Sequence, residues 1–203
     1  MPKKVDHEAR RLEISEALCR IASTRGLDGV SLRDVAAEAD ISLGRLQHYF
    51  RTKDEMLLFA LRHINVLADR RIRERVSAVA ADLGGEPPPR TVLRECLAGM
   101  LPLDEKSRVG ALVGAAYFAR AVHDDRLRAE AQEGIPKLAE FFAGLLREAM
   151  ERGEVVAGRD ADDEAMRLIS LVDGLTAYTL LGVQGAERAL GLLDGYLEGL
   201  FVG

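Results

Sequence analysis

The chain reads as an all-α protein of about nine helices, and three observations predict this. Ala, Leu, Arg and Glu dominate a composition that is 48% apolar but only 5% aromatic, with no Trp, which suits packed helices better than sheets. Apolar residues recur at i, i+3, i+4 and i+7 in one segment after another, the spacing of a single buried helical face. Capping residues open these segments, and glycines or prolines close them. With 203 residues there is room for one large domain or two small ones, each with a real core.

Ile14, Ala17, Leu18, Ile21 and Ala22 mark one face of a first helix from about Asp6 to Thr24, stopped near Gly26. Pro2, Lys3 and Lys4 precede it as a basic leader, either a solvated terminus or a contact to a phosphate backbone. Leu27 and Val30 then plug the gap before a second helix. Ser31 is a natural N-cap with Asp34 three residues on, and Leu32, Val35, Ala36 and Ala39 share a face. After Asp40 and Ile41, Ser42 caps a third helix carrying Leu43, Leu46 and Phe50 inward. A helix of about two turns is unstable alone, so its neighbours must hold it.

Thr52 and Glu55 form a capping box, and Met56, Leu57, Ala60, Ile64 and Leu67 give the core face of a long connecting helix from Lys53 to about Ala81. Its Arg70, Arg71, Arg73 and Arg75 are interleaved with Asp69 and Glu74 and read as a solvated face. LGGEPPP, Leu83 to Pro89, cannot continue a helix. Helix 5 should run from about Arg90 to Leu101, and helix 6 from an Asp104 cap to about His123. A helix opening at Asp124 or Asp125 is kinked or divided at Pro136. Gly153 to Asp163 reads as a polar acidic loop, partly disordered. Two apolar helices follow, to about Gly182 and from Gly185 to Phe201.

The third helix shows solvent Gly44, Arg45, Gln47, His48 and Tyr49. These side chains can bond base edges or phosphate oxygens, and the glycine admits a close backbone. Arg45 and Gln47 are the candidates for base edges, since Arg pairs with guanine and Gln with adenine. Ser31, Arg33, Ser42, His48, Tyr49 and Lys53 are the candidates for phosphates. Net charge is −5, which taken alone argues against nucleic acid. The charge is segregated, however: residues 1–53 hold ten Lys/Arg against eight Asp/Glu, the remainder eighteen against twenty-five. The positive end coincides with the candidate reader.

ISLGRLQHYFRTKDEML resembles the DNA-binding signature of the TetR family of one-component transcriptional regulators, and the match runs without gaps from about Asp6 to Leu57. Arg45 stands where that pattern often has a small hydroxylated residue, and Gln47 where it often has an aromatic. LPLDEKSR, AYFARAVHD and LVDGLTAY resemble, more loosely, the ligand-binding regions of choline-responsive repressors in that family. The resemblance implies a homodimeric repressor on a palindromic operator, entering successive major grooves and released when a small-molecule effector makes helix 4 swing.

On this reading residues 1–53 form a helix-turn-helix domain, helix 4 connects, and residues 54–203 bind ligand and a second copy. Surplus apolar surface on the last two helices points to a four-helix dimer bundle through Leu168, Val172, Leu175, Thr179, Leu190, Leu193 and Leu197. A cavity among helices 5 to 8 would be lined by Leu97, Met100, Leu101, Tyr117 and Arg120, with Phe141, Phe142, Leu145, Leu171, Asp173 and Tyr178. If Arg120 or Asp173 faces inward it needs a partner, a ligand or a protein salt bridge.

No catalytic constellation is visible. His7, His48, His63 and His123 lack metal-ligand spacing, and HExxH, GxSxG and GxxxxGK[ST] are absent. No cofactor or metal is expected, nor an enzyme. Asp160, Asp162, Asp163 and Glu164 lack the glycine of a calcium loop and read as an acidic helix start. Cys19 and Cys96 have no CxxC spacing and read as free thiols. With no secretory segment and no apolar run of about 20 residues, a soluble cytoplasmic protein is expected. The alternative function is a helical small-molecule-binding or scaffold protein without DNA-binding activity, favoured only by net acidity.

Overall fold

The computed structural model describes residues 2–202, with side chains from His7 to Val202. Among the described residues there are nine helices: α1 Pro2–Arg25, α2 Leu32–Glu38, α3 Leu43–Tyr49, α4 Lys53–Leu83, α5 Pro89–Met100, α6 Glu105–Ala121, α7 Asp125–Glu151, α8 Ala161–Leu180 and α9 Ala186–Leu200. The all-α expectation holds. Helix α1 begins at Pro2, so the expected leader is helical backbone, while the Lys3 and Lys4 side chains lie outside the described residues.

Two compact units divide the chain, Met1–Leu67 with Arg108–Ala129, and Ala68–Ser107 with Glu130–Gly203. In the first, α1, α2 and α3 close over Leu18, Ile21, Leu27, Val30, Val35, Leu46 and Phe50, all buried. The joint between α2 and α3 turns on Asp40, the described non-glycine residue with positive φ, at 52°. Asp tolerates this left-handed conformation better than a branched residue would. The Ile41 N–H then donates back to the Ala36 carbonyl at 3.0 Å.

The same unit contains most of α6. Arg120 donates two hydrogen bonds, 2.8 and 2.7 Å, to the Asp54 carboxylate in the first turn of α4. The Tyr117 hydroxyl donates to the Leu127 carbonyl and fastens the turn from α6 into α7.

The second unit is built on Leu93, Leu97, Leu101, Phe142, Leu146, Leu168, Val172, Leu193 and Leu197. Here α4 and α5 approach so closely that a Cβ on Gly99 would lie 2.7 Å from Ile72 Cγ1 and 2.9 Å from Arg75 Nη2. Arg75 Nε sits 3.0 Å from Glu95 Oε2 across the same contact. Gly99→Ala is therefore expected to cost about 1–3 kcal/mol by overpacking, despite the better helix propensity of alanine, and a urea melt checks it.

Two local expectations change. Helix α7 runs unbroken through Pro136, whose exposed position leaves the unpaired Gln132 carbonyl open to water. The stretch from Gly153 to Asp163 is tied down, with Val155 buried and bridged antiparallel to Phe201. Val156 N–H donates to Leu200 O at 3.0 Å and Val202 N–H to Glu154 O at 2.9 Å. Asp160 then caps α8 by accepting from Asp163 N–H at 2.9 Å, the helix start read for that acidic run.

Candidate nucleic-acid interface

Helix α3 is seven residues long and set from both ends. At its start the Ser42 hydroxyl accepts from Arg45 N–H at 3.2 Å, satisfying one orphan donor. At its end Phe50 is the C-cap, its N–H donating to Leu46 O. Leu46 and Phe50 are both 0% exposed, so the inward face is fully used. Gly44, Arg45, Gln47 and His48 are exposed. Arg45 and Gln47 make no side-chain hydrogen bond or ion pair within the described residues, so both reach solvent with their donors free. A Cβ on Gly44 would meet nothing within 4 Å, so the protein itself does not require glycine there.

The flanking candidates are more committed. Ser31 caps α2: its hydroxyl donates to Asp34 Oδ2 at 2.6 Å and accepts from Asp34 N–H at 3.3 Å. That hydroxyl, with the Ser31 N–H donating to the same Oδ2 at 2.8 Å, holds the Asp34 carboxyl down at about 2. Arg33 is exposed and has no partner among the described residues. Lys53 Nζ donates to the Leu27 carbonyl at 2.9 Å, fastening the loop after α1 and leaving two of its three donors.

Tyr49 is half-buried and His48 exposed, and His7 of α1 joins them. Its ring centroid lies 4.8 Å from that of Tyr49 and 5.9 Å from that of His48. Sequence reasoning missed His7, because nothing in the chain order places the start of α1 beside the end of α3. Arg51 is also exposed, its side chain without a partner among the described residues.

Residues 14–59 match the family described as bacterial regulatory proteins, tetR family, and residues 89–202 match the C-terminal region of BetI-type transcriptional repressors. The chain belongs to the TetR family of transcriptional regulators. It is similar to the regulator PksA of Bacillus subtilis, 36% identical over 185 residues covering 89% of this chain and 83% of that one. It is 30% identical over 200 residues to the regulator BetI of Burkholderia ambifaria, covering 98% and 97%. Among solved structures it resembles a putative regulator from Saccharomonospora viridis in complex with choline, with TM-score 0.81, 26% identity and coverage of 97% and 98%. A TetR-family regulator from Rhodococcus gives TM-score 0.79 at 26% identity, covering 95% and 98%. The helix-turn-helix of this regulator is thus a DNA-binding domain.

The C-terminal candidates need correction. Of the residues expected at a dimer interface, Leu168, Val172, Leu175, Leu193 and Leu197 are buried in the protomer's own core, and Thr179 and Leu190 are half-buried. Helical spacing identified the most apolar face, which a helix turns to its own core first. The face left open carries Met166, Ser170, Asp173 and Ala177 on α8 and its C-cap Leu181, with Gly191, Leu192, Gly195 and Gly199 on α9. Asp173 has no partner among the described residues, and desolvation pushes its carboxyl pKa up.

The expected cavity lining also separates. Leu97, Leu101 and Phe142 are fully buried core, and Met100, Leu145 and Leu171 pack against it. Phe141 and Tyr178 are half exposed, at 50% and 55%. Tyr117 and Arg120 belong to the N-terminal unit, where Arg120 is exposed and paired with Asp54. An open depression along α8 is lined by Asp163, Met166, Arg167, Ser170 and Leu171.

Cys19 is half-buried and Cys96 buried, both free, and desolvation pushes each thiol to about 11. Among the described residues no helix is long and apolar enough to cross a membrane.

Proposed function

We propose that this regulator is a repressor that binds a palindromic operator as a homodimer and leaves it when a small molecule occupies its C-terminal unit. Residues 1–53 read DNA in this proposal, α4 connects, and the remainder binds effector and partner in the cytoplasm. The observation that carries it is the division of α3, with Leu46 and Phe50 buried while Arg45 and Gln47 stand free. Two such helices related by a two-fold axis would fit half-sites about 34–36 Å apart. The partner surface is the open α8–α9 face, where three glycines at i, i+4 and i+8 let a second helix approach closely. Choline is the effector to test first, because the similar Saccharomonospora regulator holds it.

Arg45→Ala is expected to lose about 1–3 kcal/mol of discrimination at one operator position. Lys53→Ala should weaken all sequences alike and reduce the salt slope by about 1. Isotherms on operator variants at several salt concentrations separate the two roles. Indistinguishable mutants would defeat the assignment of Arg45 to a base edge.

A further inference from the structure

One cation on α1 bridges the end of α3 and the start of α4. The guanidinium carbon of Arg11, on α1, lies 4.6 Å from the centroid of the Phe50 ring and 4.3 Å from that of Phe59. The two rings meet edge to face at 5.4 Å. Phe50 caps the C-terminus of α3, and Phe59 stands in the second turn of α4. Arg11 Nη2 also faces Glu55 Oε1 at 3.5 Å. Glu55 in turn fastens the α3–α4 turn, accepting from Arg51 N–H at 3.0 Å and donating its own N–H to Thr52 Oγ1 at 3.1 Å.

This arrangement carries a cost. Arg11 Nε is shut off from water and has no hydrogen-bond partner, a penalty that a leucine or methionine would avoid. An apolar side chain could fill the space, but it would not be attracted to two ring faces at once as a cation is. The rings belong to different helices, so the attraction fixes the end of α3 relative to α4. With only seven residues, α3 cannot hold its angle alone, and this contact adds to the packing of the buried Leu46 and Phe50. Reading bases by bidentate contacts demands that angle closely, and a misplacement of about 1 Å loses the contact.

The geometry points to Arg11 as a positioning residue for operator reading: it holds the end of α3 against α4, so that Arg45 and Gln47 meet base edges at a fixed angle. It acts through Phe50 and Phe59 without touching DNA. The inference rests on the reading head proposed above.

The test uses the full chain, a duplex selected by the wild-type protein from a random library, and a scrambled duplex of equal length. Arg11→Met keeps length and apolar bulk without charge, Arg11→Lys keeps charge without the plane, and Phe59→Leu removes one ring while leaving the cation. Arg11→Met and Phe59→Leu should each lower the ratio of selected to scrambled affinity about tenfold, equivalent to about 1.4 kcal/mol. Affinity for the scrambled duplex and the salt slope should stay unchanged. Arg11→Lys should fall between. A slope reduced by about 1 in Arg11→Met would make Arg11 a phosphate contact and overturn the inference. So would a ratio within about twofold of wild type in both Arg11→Met and Phe59→Leu, or a set of variants that no longer folds, since either makes the cation merely structural. If the wild-type protein itself selects no sequence, it is the reading head that falls.

Discussion

Replacing Gly195 with Leu is expected to leave a folded protomer that no longer dimerises and no longer holds its operator. A Cβ at Gly195 meets nothing within 4 Å, and the same is true at Gly191 and Gly199. The exposed position leaves room at the Cβ inside the chain, and leucine in a helix interior is favoured over glycine by about 0.5–1 kcal/mol. The protomer should melt no lower than the wild type. Between two copies the effect reverses, because a leucine on the line of close approach keeps the α9 helices apart. Loss of the two-fold assembly removes the effective concentration of the second reading head, so operator affinity should drop by about two orders of magnitude or more. Sedimentation equilibrium with a parallel gel shift reads both quantities. A dimer of unchanged strength would place the interface elsewhere on the surface.

Glu164→Gln should clearly destabilise the C-terminal unit. The Glu164 side chain is 0% exposed and accepts from Arg167 Nη1 at 2.6 Å, Tyr196 Oη at 2.7 Å and Arg159 Nη1 at 3.0 Å. It joins α8, α9 and the segment before α8. Desolvation opposes its charge, but the bonds from Tyr196, Arg167 and Arg159 outweigh this and hold its pKa below the usual carboxylate value. Breaking a buried pair typically costs about 3–5 kcal/mol. Arg159 and Arg167 are 41% and 52% exposed and can turn to water, so about 2–3 kcal/mol is expected here. Because the folded pKa is depressed, this contribution is complete above the unfolded value of about 4.3. It disappears as pH falls through the folded value. Urea melts at pH 7 should therefore separate Glu164→Gln from wild type, and the separation should shrink as pH is lowered below the unfolded carboxylate value. A difference that persists undiminished at pH 3 would assign the effect to packing and not to charge.

The two units differed in how much of their function could be read before folding. In the reading head, caps and core faces are local: Ser31, Ser42, Leu46 and Phe50 act within a turn or two of their own positions, and the outward residues of α3 follow by elimination. At the C-terminal unit the same periodicity picked out residues that the protomer buries in its own core. Leu168 and Gly195 lie on opposite kinds of face, and the apolar one is turned inward. Arg120 was equally illegible, since its partner Asp54 is 66 residues away.

What the residues determined by themselves was the all-α class, the caps that open α2, α3 and α8, and the family whose reading helix this chain shares, because each depends on contacts within a few positions or on a short motif. The tertiary structure alone decided that α8 and α9 turn Leu168, Leu175, Leu193 and Leu197 inward, that Arg11 lies beside two rings, and that Glu164 is enclosed by three donors. Those outcomes depend on which distant segments meet, and a helical repeat specifies a face without specifying what will cover it.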